Sequence, residues 1–201
     1  GRWRGVFADH TWIVIKENGF IYNYGAGSDT ASNATQWGVS WGNWIGSSNQ
    51  RATQTQYPVR WNLNSIQTPT GSTVKYQYTN VSSTVMSNGL AYTQASYLSK
   101  VVDSYGSTLT FNYREKFGAL NPDTTPGRPP VIEYQAAHTQ LPVPNAYQDR
   151  YETRYLDSVD VADSTGRPLY GIQFTYDFVN HAPTSASNYS LLYKRCLKSV
   201  F

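Results

Sequence analysis

The sequence has little charge, one cysteine, one methionine and no long apolar run. A single cysteine, Cys196, cannot form a disulfide within the chain. This excludes a small scaffold held together by disulfides, although it does not exclude secretion. No stretch approaches the roughly 20 consecutive apolar residues that a membrane-spanning helix requires, so we expect no membrane span.

Charged residues make up only 14% of the chain, and the net charge of +3 is dispersed, with no run of Lys or Arg longer than two. A nucleic-acid-binding surface needs clustered basic residues, so we expect no nucleic-acid partner. No window of about 12 residues keeps an apolar stripe of helical period between capping signals. We therefore expect little or no helix.

The chain does contain a segment and its copy, displaced by 35 positions without a gap: Leu63 to Tyr78 and Leu98 to Tyr113. Each has a leucine followed three positions later by Ile or Val, then a central glycine, then an aromatic-x-Tyr ending. Similarity at a fixed offset indicates a repeated supersecondary unit.

Each unit has the pattern of a β-hairpin. After the glycine of the first unit, Val74, Tyr76 and Tyr78 alternate with Lys75 and Gln77. Period-two alternation rich in aromatic residues is typical of a half-buried strand, and Gly, Pro and Asp between the two runs favour a turn. One hairpin cannot bury enough apolar area alone, so we expect the units to stack edge to edge.

The predicted fold is all-β, with stacked antiparallel hairpins forming a partial shell or barrel-like sheet. Asn18-Gly19 between two apolar runs is the strongest hairpin signal in the chain. We predict a single β-rich domain over residues 1–201, or a fragment of a longer array that starts without Met and stops early in a unit. The repeat-like units lie near residues 12–24, 61–78, 97–113, 154–176 and 193–201, the last one truncated. Polar loops are expected at 25–35 and 118–130.

The alternation also predicts which side chains form the core. Val74, Tyr76, Leu109 and Phe111 should share one buried face of the sheet. Leu63 and Leu98, which occupy equivalent positions in the two units, should be buried as well.

The unit Leu-x-Ser-Ile/Val, Gly, aromatic-x-Tyr resembles the RHS/YD-repeat family. The run from Pro144 to Val159 is similar to the segment that enters a YD unit in the shells of toxin-complex B components. Trp12 to Tyr24 is similar to a strand-turn-strand stretch in the plasmid-virulence-protein B-type domain that begins those shells.

The resemblance implies a hollow β-shell that encloses a toxic or reactive polypeptide, in a secreted assembly. It implies no catalysis by this segment, because the aspartates of the family's autoproteolytic core are not found here. Residues 193–201 begin a further unit whose return strand is missing, so we expect this edge to pair with further repeats of the same longer chain or with a partner shell protein.

Residues with reactive side chains do not form a recognisable catalytic or metal-binding motif. The three histidines, His10, His138 and His181, are isolated, and adjacent Asp9 and His10 would point to opposite faces of a strand. Cys196 is expected to be a small buried residue rather than a thiolate. Asp157, Asp160 and Asp163 do not match a calcium loop, and a turn explains Asp163-Ser-Thr-Gly166. We expect no enzyme activity, no cofactor and no metal.

All six tryptophans lie within the first 61 residues. Four of them, Trp37, Trp41, Trp44 and Trp61, are candidates for stacking on sugar rings, since aromatic faces beside hydroxyl and amide groups suit a glycan. The same rings could instead cover apolar area at one end of a β-shell. Three Asn-x-Ser/Thr sequences, at Asn33, Asn80 and Asn188, occur about as often as chance predicts in so polar a chain.

Two functions therefore remain open from the sequence. One is a structural segment of a YD-type toxin shell without catalysis. The alternative is a carbohydrate-binding β-protein that uses the N-terminal tryptophans and has glycans as its ligands.

Overall fold

The computed structural model describes residues 2–6, 11–27, 29–39, 44–45, 50–51, 56–84, 90–116, 132–133, 153–180 and 192–201. Most of them lie in strands. The strands are β1 (Arg2–Val6), β2 (Thr11–Ile15), β3 (Ile21–Tyr24), β4 (Thr35–Val39), β5 (Trp44–Ile45), β6 (Gln50–Arg51), β7 (Gln56–Trp61), β8 (Leu63–Gln67), β9 (Thr73–Thr84), β10 (Ala91–Val102), β11 (Thr108–Glu115), β12 (Ile132–Glu133), β13 (Arg154–Ala162), β14 (Pro168–Asn180) and β15 (Leu192–Val200).

Eleven strands form one sheet in the order β1-β2-β3-β8-β9-β10-β11-β13-β14-β15-β12. Two smaller antiparallel pairs, β4 with β7 and β5 with β6, lie outside it. The described strands pair antiparallel, apart from the two-residue parallel contact of β12 with β15, and the large sheet does not close on itself. The only helix in the described ranges is one 3-10 turn, Thr30–Ser32. The predicted all-β antiparallel fold is thus confirmed.

Four hairpins of this sheet share one turn geometry. In each, a glycine at the fourth position has positive φ, from +81° to +90°, and its N–H bonds back to the first residue of the turn. The first residue in turn donates its N–H to the residue after the glycine. The four glycines are Gly19, Gly71, Gly106 and Gly166. This is the three-residue hairpin connection that needs a left-handed residue, which glycine adopts at low cost.

The repeat seen in the sequence recurs in the strand register. Ser65, Ile66 and Gln67 pair with Lys75, Val74 and Thr73. Shifting each of these six positions by 35 gives the pairs that join β10 to β11, from Lys100 with Thr110 to Val102 with Thr108. The two hairpins are therefore equivalent residue by residue.

In three of the units, a tyrosine hydroxyl links the two strands beyond the end of their ladder. Three such bonds occur, from Tyr78 Oη to Leu63 O at 2.9 Å, from Tyr113 Oη to Leu98 O at 3.0 Å and from Tyr176 Oη to Leu156 O at 2.5 Å. In every case the tyrosine stands three residues past the last ladder pair and the leucine two residues before it. We call this contact the tyrosine clasp.

The most buried apolar side chains do not lie where the alternation predicts. Among the described residues they are Ala34, Val39, Tyr92, Ala95, Tyr97 and Val159. They concentrate where the β4–β7 pair covers β10, with Val39 packed against Tyr92. Within the described part of the chain this pair is the layer that covers the sheet, so burial there exceeds burial in the repeat units.

The side chains of the repeat units are therefore less buried than the alternation predicts. Tyr76 and Leu109 do share a face, because both stand opposite Val101. However, Leu109 is 38% exposed, and Leu63 and Leu98 are only half-buried. The sheet face is only partly covered at these positions.

The loop predicted over residues 25–35 is more ordered than expected. It contains the 3-10 turn, and Ser32 and Ala34 are buried. Beyond it, β9 and β10 run twelve residues each as one long pair with two register shifts. Such bulges bend and twist a sheet. The predicted loop at 118–130 lies outside the described residues.

Candidate functional site

Among the described residues, one concavity lies between the loop that follows β3 and strands β4, β9 and β10. Its volume is about 430 Å³, within the range of small-ligand sites. The lining residues are Ala26, Gly27, Thr30, Asn33, Thr35, Trp37, Asn80, Ser82 and Thr93. We call this the loop–strand pocket.

Left-handed backbone shapes the loop side of the pocket. Gly25, Gly27 and Asn33 have φ of +86°, +52° and +50°. A side chain on Gly27 would place its Cβ 2.8 Å from the Cγ2 of Thr11, so only glycine fits there. Asn33 is the one non-glycine residue with positive φ among the described residues. Asparagine tolerates this region better than most residues, and outliers of this kind often lie at ligand sites.

The amide of Asn80 joins the strand side of the pocket to the loop. Its Nδ2 donates to Asn33 O at 3.0 Å and to Thr35 O at 3.3 Å, and Asn33 Nδ2 donates to Tyr78 O at 3.1 Å. The Oδ1 of Asn80 is buried and accepts no hydrogen bond. A buried acceptor without a donor is unfavourable, so this amide is incompletely satisfied.

Buried threonine hydroxyls fix the remaining wall. Thr93 Oγ1 accepts the backbone N–H of Trp37 at 2.9 Å and ties β4 to β10. Thr35 Oγ1 accepts the N–H of Ala26 at 2.9 Å and ties the loop to β4. Through these contacts the half-buried Trp37 ring is held beside hydroxyl and amide groups.

The structure places the four tryptophans predicted to bind sugars in different surroundings. Trp37 lines the loop–strand pocket. Trp61 instead packs edge-on against Trp12, with ring centres 5.7 Å apart and an interplanar angle of 85°. Trp41 lies outside the described residues, and the structure gives only the backbone of Trp44. Sugar stacking by the set of four remains a prediction.

Asn33, Asn80 and Thr93 are not among the ligand-binding residues that the sequence predicts. A signal was present, because Asn33-Ala-Thr35 and Asn80-Val-Ser82 are two of the three Asn-x-Ser/Thr sequences. The fold brings these two sequences together at one pocket. Their alignment depends on the pairing of distant segments, which the sequence pattern does not reveal.

The residues considered for metal or acid–base chemistry have structural roles where the structure describes them. Asp163 Oδ1 accepts bonds from Thr165 Oγ1 and from the N–H groups of Thr165 and Arg167, and these bonds lower the pKa of Asp163. Asp160 accepts a hydrogen bond from Asn112 Nδ2 at 2.6 Å, and Asp157 forms an ion pair with Arg114 at 2.9 Å.

The described residues contain no group of three or more His, Cys, Asp or Glu suited to a metal ion. His10, His138 and His181 lie outside the described residues.

The expectation that Cys196 is buried is wrong, because its side chain is exposed. It stands opposite the exposed Asp177 on β14, so it belongs to the solvent face of the sheet. The sequence suggested burial from an apolar neighbourhood, but the neighbour Leu197 is itself 58% exposed.

Aromatic rings surround Arg195 on β15. Its guanidinium carbon lies 3.5 Å from the centre of the Tyr155 ring, 4.7 Å from Phe178 and 5.4 Å from Tyr176. Cation–π contacts of this kind connect β15 to β13 and β14. Burial raises the pKa of Tyr176, although the nearby arginine opposes that shift.

No helix long and apolar enough to cross a membrane occurs in the described ranges. No protein-family model matches the sequence, and no curated protein matches it.

Some solved structures match the chain at low similarity. The chain is 16% identical to the N-terminal domain of the effector protein SpvB from Salmonella typhimurium strain LT2, with a TM-score of 0.46, over 83% of this chain and 56% of that one. It is 15% identical to a chain in a TcdB2-TccC3-TEV crystal structure and 13% identical to one in TcdB2-TccC3, with TM-scores of 0.45 and 0.44. Each of those matches covers 83% of this chain and 9% of the other. Similarity at this level defines neither a family nor an activity.

Proposed function

We propose that the chain is a structural segment of an enclosing, YD-type toxin shell in a secreted assembly, and that it has no catalytic activity of its own. The observation that supports this is the repetition of one hairpin at identical register, with the same clasp, in successive units. A sheet that grows by repeating one unit produces an extended wall. This is the architecture that an enclosing protein needs.

A wall segment must also join its neighbours, and β15 offers a suitable edge. β14 pairs with β15 from Phe174 to Asn180, whereas β12 meets the other edge of β15 only at Leu192 and Tyr193. Beyond that contact, the described residues provide no strand for the outer edge. An uncovered edge is a template for a further strand.

The side chains near this edge favour association with another protein segment. Leu197, Val200 and Phe201 are 58%, 52% and 75% exposed. The ion pair between Lys198 and Asp177, with its charged atoms 3.2 Å apart, partly opposes pairing of this edge with another strand. We propose that a further β segment, from the same longer chain or from a partner shell protein, pairs with this edge and covers these residues.

Sedimentation velocity over a concentration series tests the proposal, because an unoccupied edge should pair with a second copy. We expect self-association that Leu197→Lys combined with Val200→Lys abolishes, since charge on an edge strand opposes pairing. Ile15→Lys is the matched control, because Ile15 is 41% exposed but lies on β2, which is paired on both sides. A protein that stays monomeric throughout, with slow exchange at those amides of Leu197–Val200 that point away from β14, would count against a shell edge.

The alternative, carbohydrate binding through Trp37, Trp41, Trp44 and Trp61 as one platform, remains a second prediction. Trp37 at a pocket favours a glycan site, but Trp61 lies against Trp12 rather than in that pocket.

A further inference from the structure

The described residues that line the loop–strand pocket are all uncharged. Two asparagines, three threonines, one serine, one tryptophan, one alanine and one glycine face it. Charged ligands need compensating charges, which this lining does not contain. The lining therefore selects a neutral ligand.

The polar groups of the pocket are suited to hydroxyl groups. Amides and hydroxyls both donate and accept, and so do the hydroxyls of a sugar. Asn80 adds a buried acceptor with no donor, beside the pocket. A small movement of the Asn80 amide toward the pocket on binding would let a ligand hydroxyl donate to this buried acceptor, which gives a polyhydroxylated ligand an advantage over an apolar one.

Trp37 provides the complementary apolar surface. The C–H face of a pyranose ring is apolar and packs on an aromatic ring, while its hydroxyls bond to surrounding polar groups. Trp37 lines the same pocket as Asn33 and Asn80. Contacts from four separate segments hold the walls, so the site is largely preformed.

From these features we infer that the loop–strand pocket binds a neutral saccharide, with Trp37 stacking on the ring and Asn80 bonding to a hydroxyl. The inferred site differs from a platform of four tryptophans, because Trp61 has no part in it. It does not rest on the shell proposal. That proposal concerns β15, which lies near one end of the strand order, whereas the pocket involves β9 and β10 in its middle.

Isothermal titration calorimetry and ligand-observed NMR on the full chain test the inference. The probes are glucose, galactose, mannose and N-acetylglucosamine, with maltose, lactose and chitobiose as disaccharides and glucuronate as a charged comparison. A glycoprotein with neutral glycans separates recognition of a free sugar from recognition of a protein-linked chain. We expect saturable binding of at least one neutral probe and weaker binding of glucuronate.

Trp37→Ala and Asn80→Ala should each weaken that binding, the first by about tenfold or more. Ser82→Tyr should block the pocket without altering buried packing, because Ser82 is exposed on β9 and tyrosine suits a strand. This variant keeps the test informative if Trp37→Ala fails to fold. Trp61→Phe is the matched control and should bind like the unchanged protein.

Absence of saturable binding to any neutral probe would overturn the inference. So would binding that survives both Trp37→Ala and Ser82→Tyr, or binding of glucuronate as tight as that of the neutral sugars. Loss of binding in Trp61→Phe alone would contradict the inference and favour the platform of four tryptophans as the binding site. None of these results would alter the self-association expected at β15, so the two proposals can fail separately.

Discussion

The hydroxyl of Tyr113 lies 3.0 Å from the carbonyl oxygen of Leu98, on the opposite strand of the same hairpin. The β10–β11 ladder ends at Lys100 with Thr110, so this carbonyl lies beyond the last backbone pair of that hairpin. The tyrosine side chain supplies the donor that the facing strand no longer provides. Because the same contact recurs in three units, the final tyrosine of the repeat serves a geometric purpose besides apolar packing.

Replacing Tyr113 by phenylalanine should lower the free energy of unfolding by about 0.5–1.5 kcal/mol, the usual net value of one hydrogen bond. Urea denaturation measures this change. Tyr105→Phe is the control, since Tyr105 is 81% exposed in the turn of the same hairpin. Equal stability of the two variants would mean that the clasp contributes nothing.

The clasp of Tyr78 should make stability depend on alkaline pH. Burial, with a smaller effect from Tyr76, raises the pKa of Tyr78 from about 10 to about 12. The folded chain therefore retains this proton over a pH range in which the unfolded chain has released it. The contribution to stability is complete below pH 10 and is lost as pH rises from 10 to 12.

Tyr78→Phe removes that titration and the clasp together. It should be less stable than the unchanged protein at pH 8, and the difference in unfolding free energy should narrow as pH rises from 10 toward 12. Urea unfolding at several pH values measures this difference. A difference that widens with pH would contradict the assigned direction of the pKa shift.

Gly71 allows a separate test of the shared turn. Its φ is +90°, and an added Cβ would meet no atom within 4 Å, so any penalty is conformational rather than steric. Gly71→Ala should cost about 1–2 kcal/mol, and Gly71→Asn should cost less because asparagine tolerates left-handed backbone. Thermal melts of the pair compare them at one site. An alanine variant as stable as the asparagine variant would contradict the turn geometry.

Tyr97 and Leu98 are adjacent but differ sharply in burial. Tyr97 is 5% exposed, and its hydroxyl accepts the N–H groups of Thr153 and Arg154 at 2.9 and 3.1 Å. Tyr97→Ala should therefore cost about 3–5 kcal/mol, in the range of buried aromatic truncations. Leu98→Ala should cost only about 1 kcal/mol, because Leu98 is half-buried. If chemical denaturation showed a larger loss of unfolding free energy for Leu98→Ala than for Tyr97→Ala, the core predicted from the repeat would be correct after all.

Local chemistry explains which features the sequence could predict. The turn around Gly71 depends on four consecutive residues, and the alternation around Tyr76 depends on five. Both can therefore be predicted from the sequence. The burial of Val39 depends instead on how the β4–β7 pair covers β10, and that of Tyr97 on its contacts with Tyr113, Thr153 and Arg154, which no local pattern encodes. The pocket around Asn80 is subject to the same limit, since residues 26 to 93 contribute to its walls.

The tyrosine clasps lie at the open ends of their hairpins, opposite the glycine turns. A force that pulls apart the two ends of a hairpin reaches this open end first and breaks its bonds one at a time, as a zipper opens. The hydroxyl bond between Tyr78 and Leu63 is thus the first link that such a force must break, before the ladder from Ser65 to Gln67. Because most neighbours in this sheet are also neighbours along the chain, pulling would release the protein hairpin by hairpin, with a clasp at the entrance of three of the hairpins.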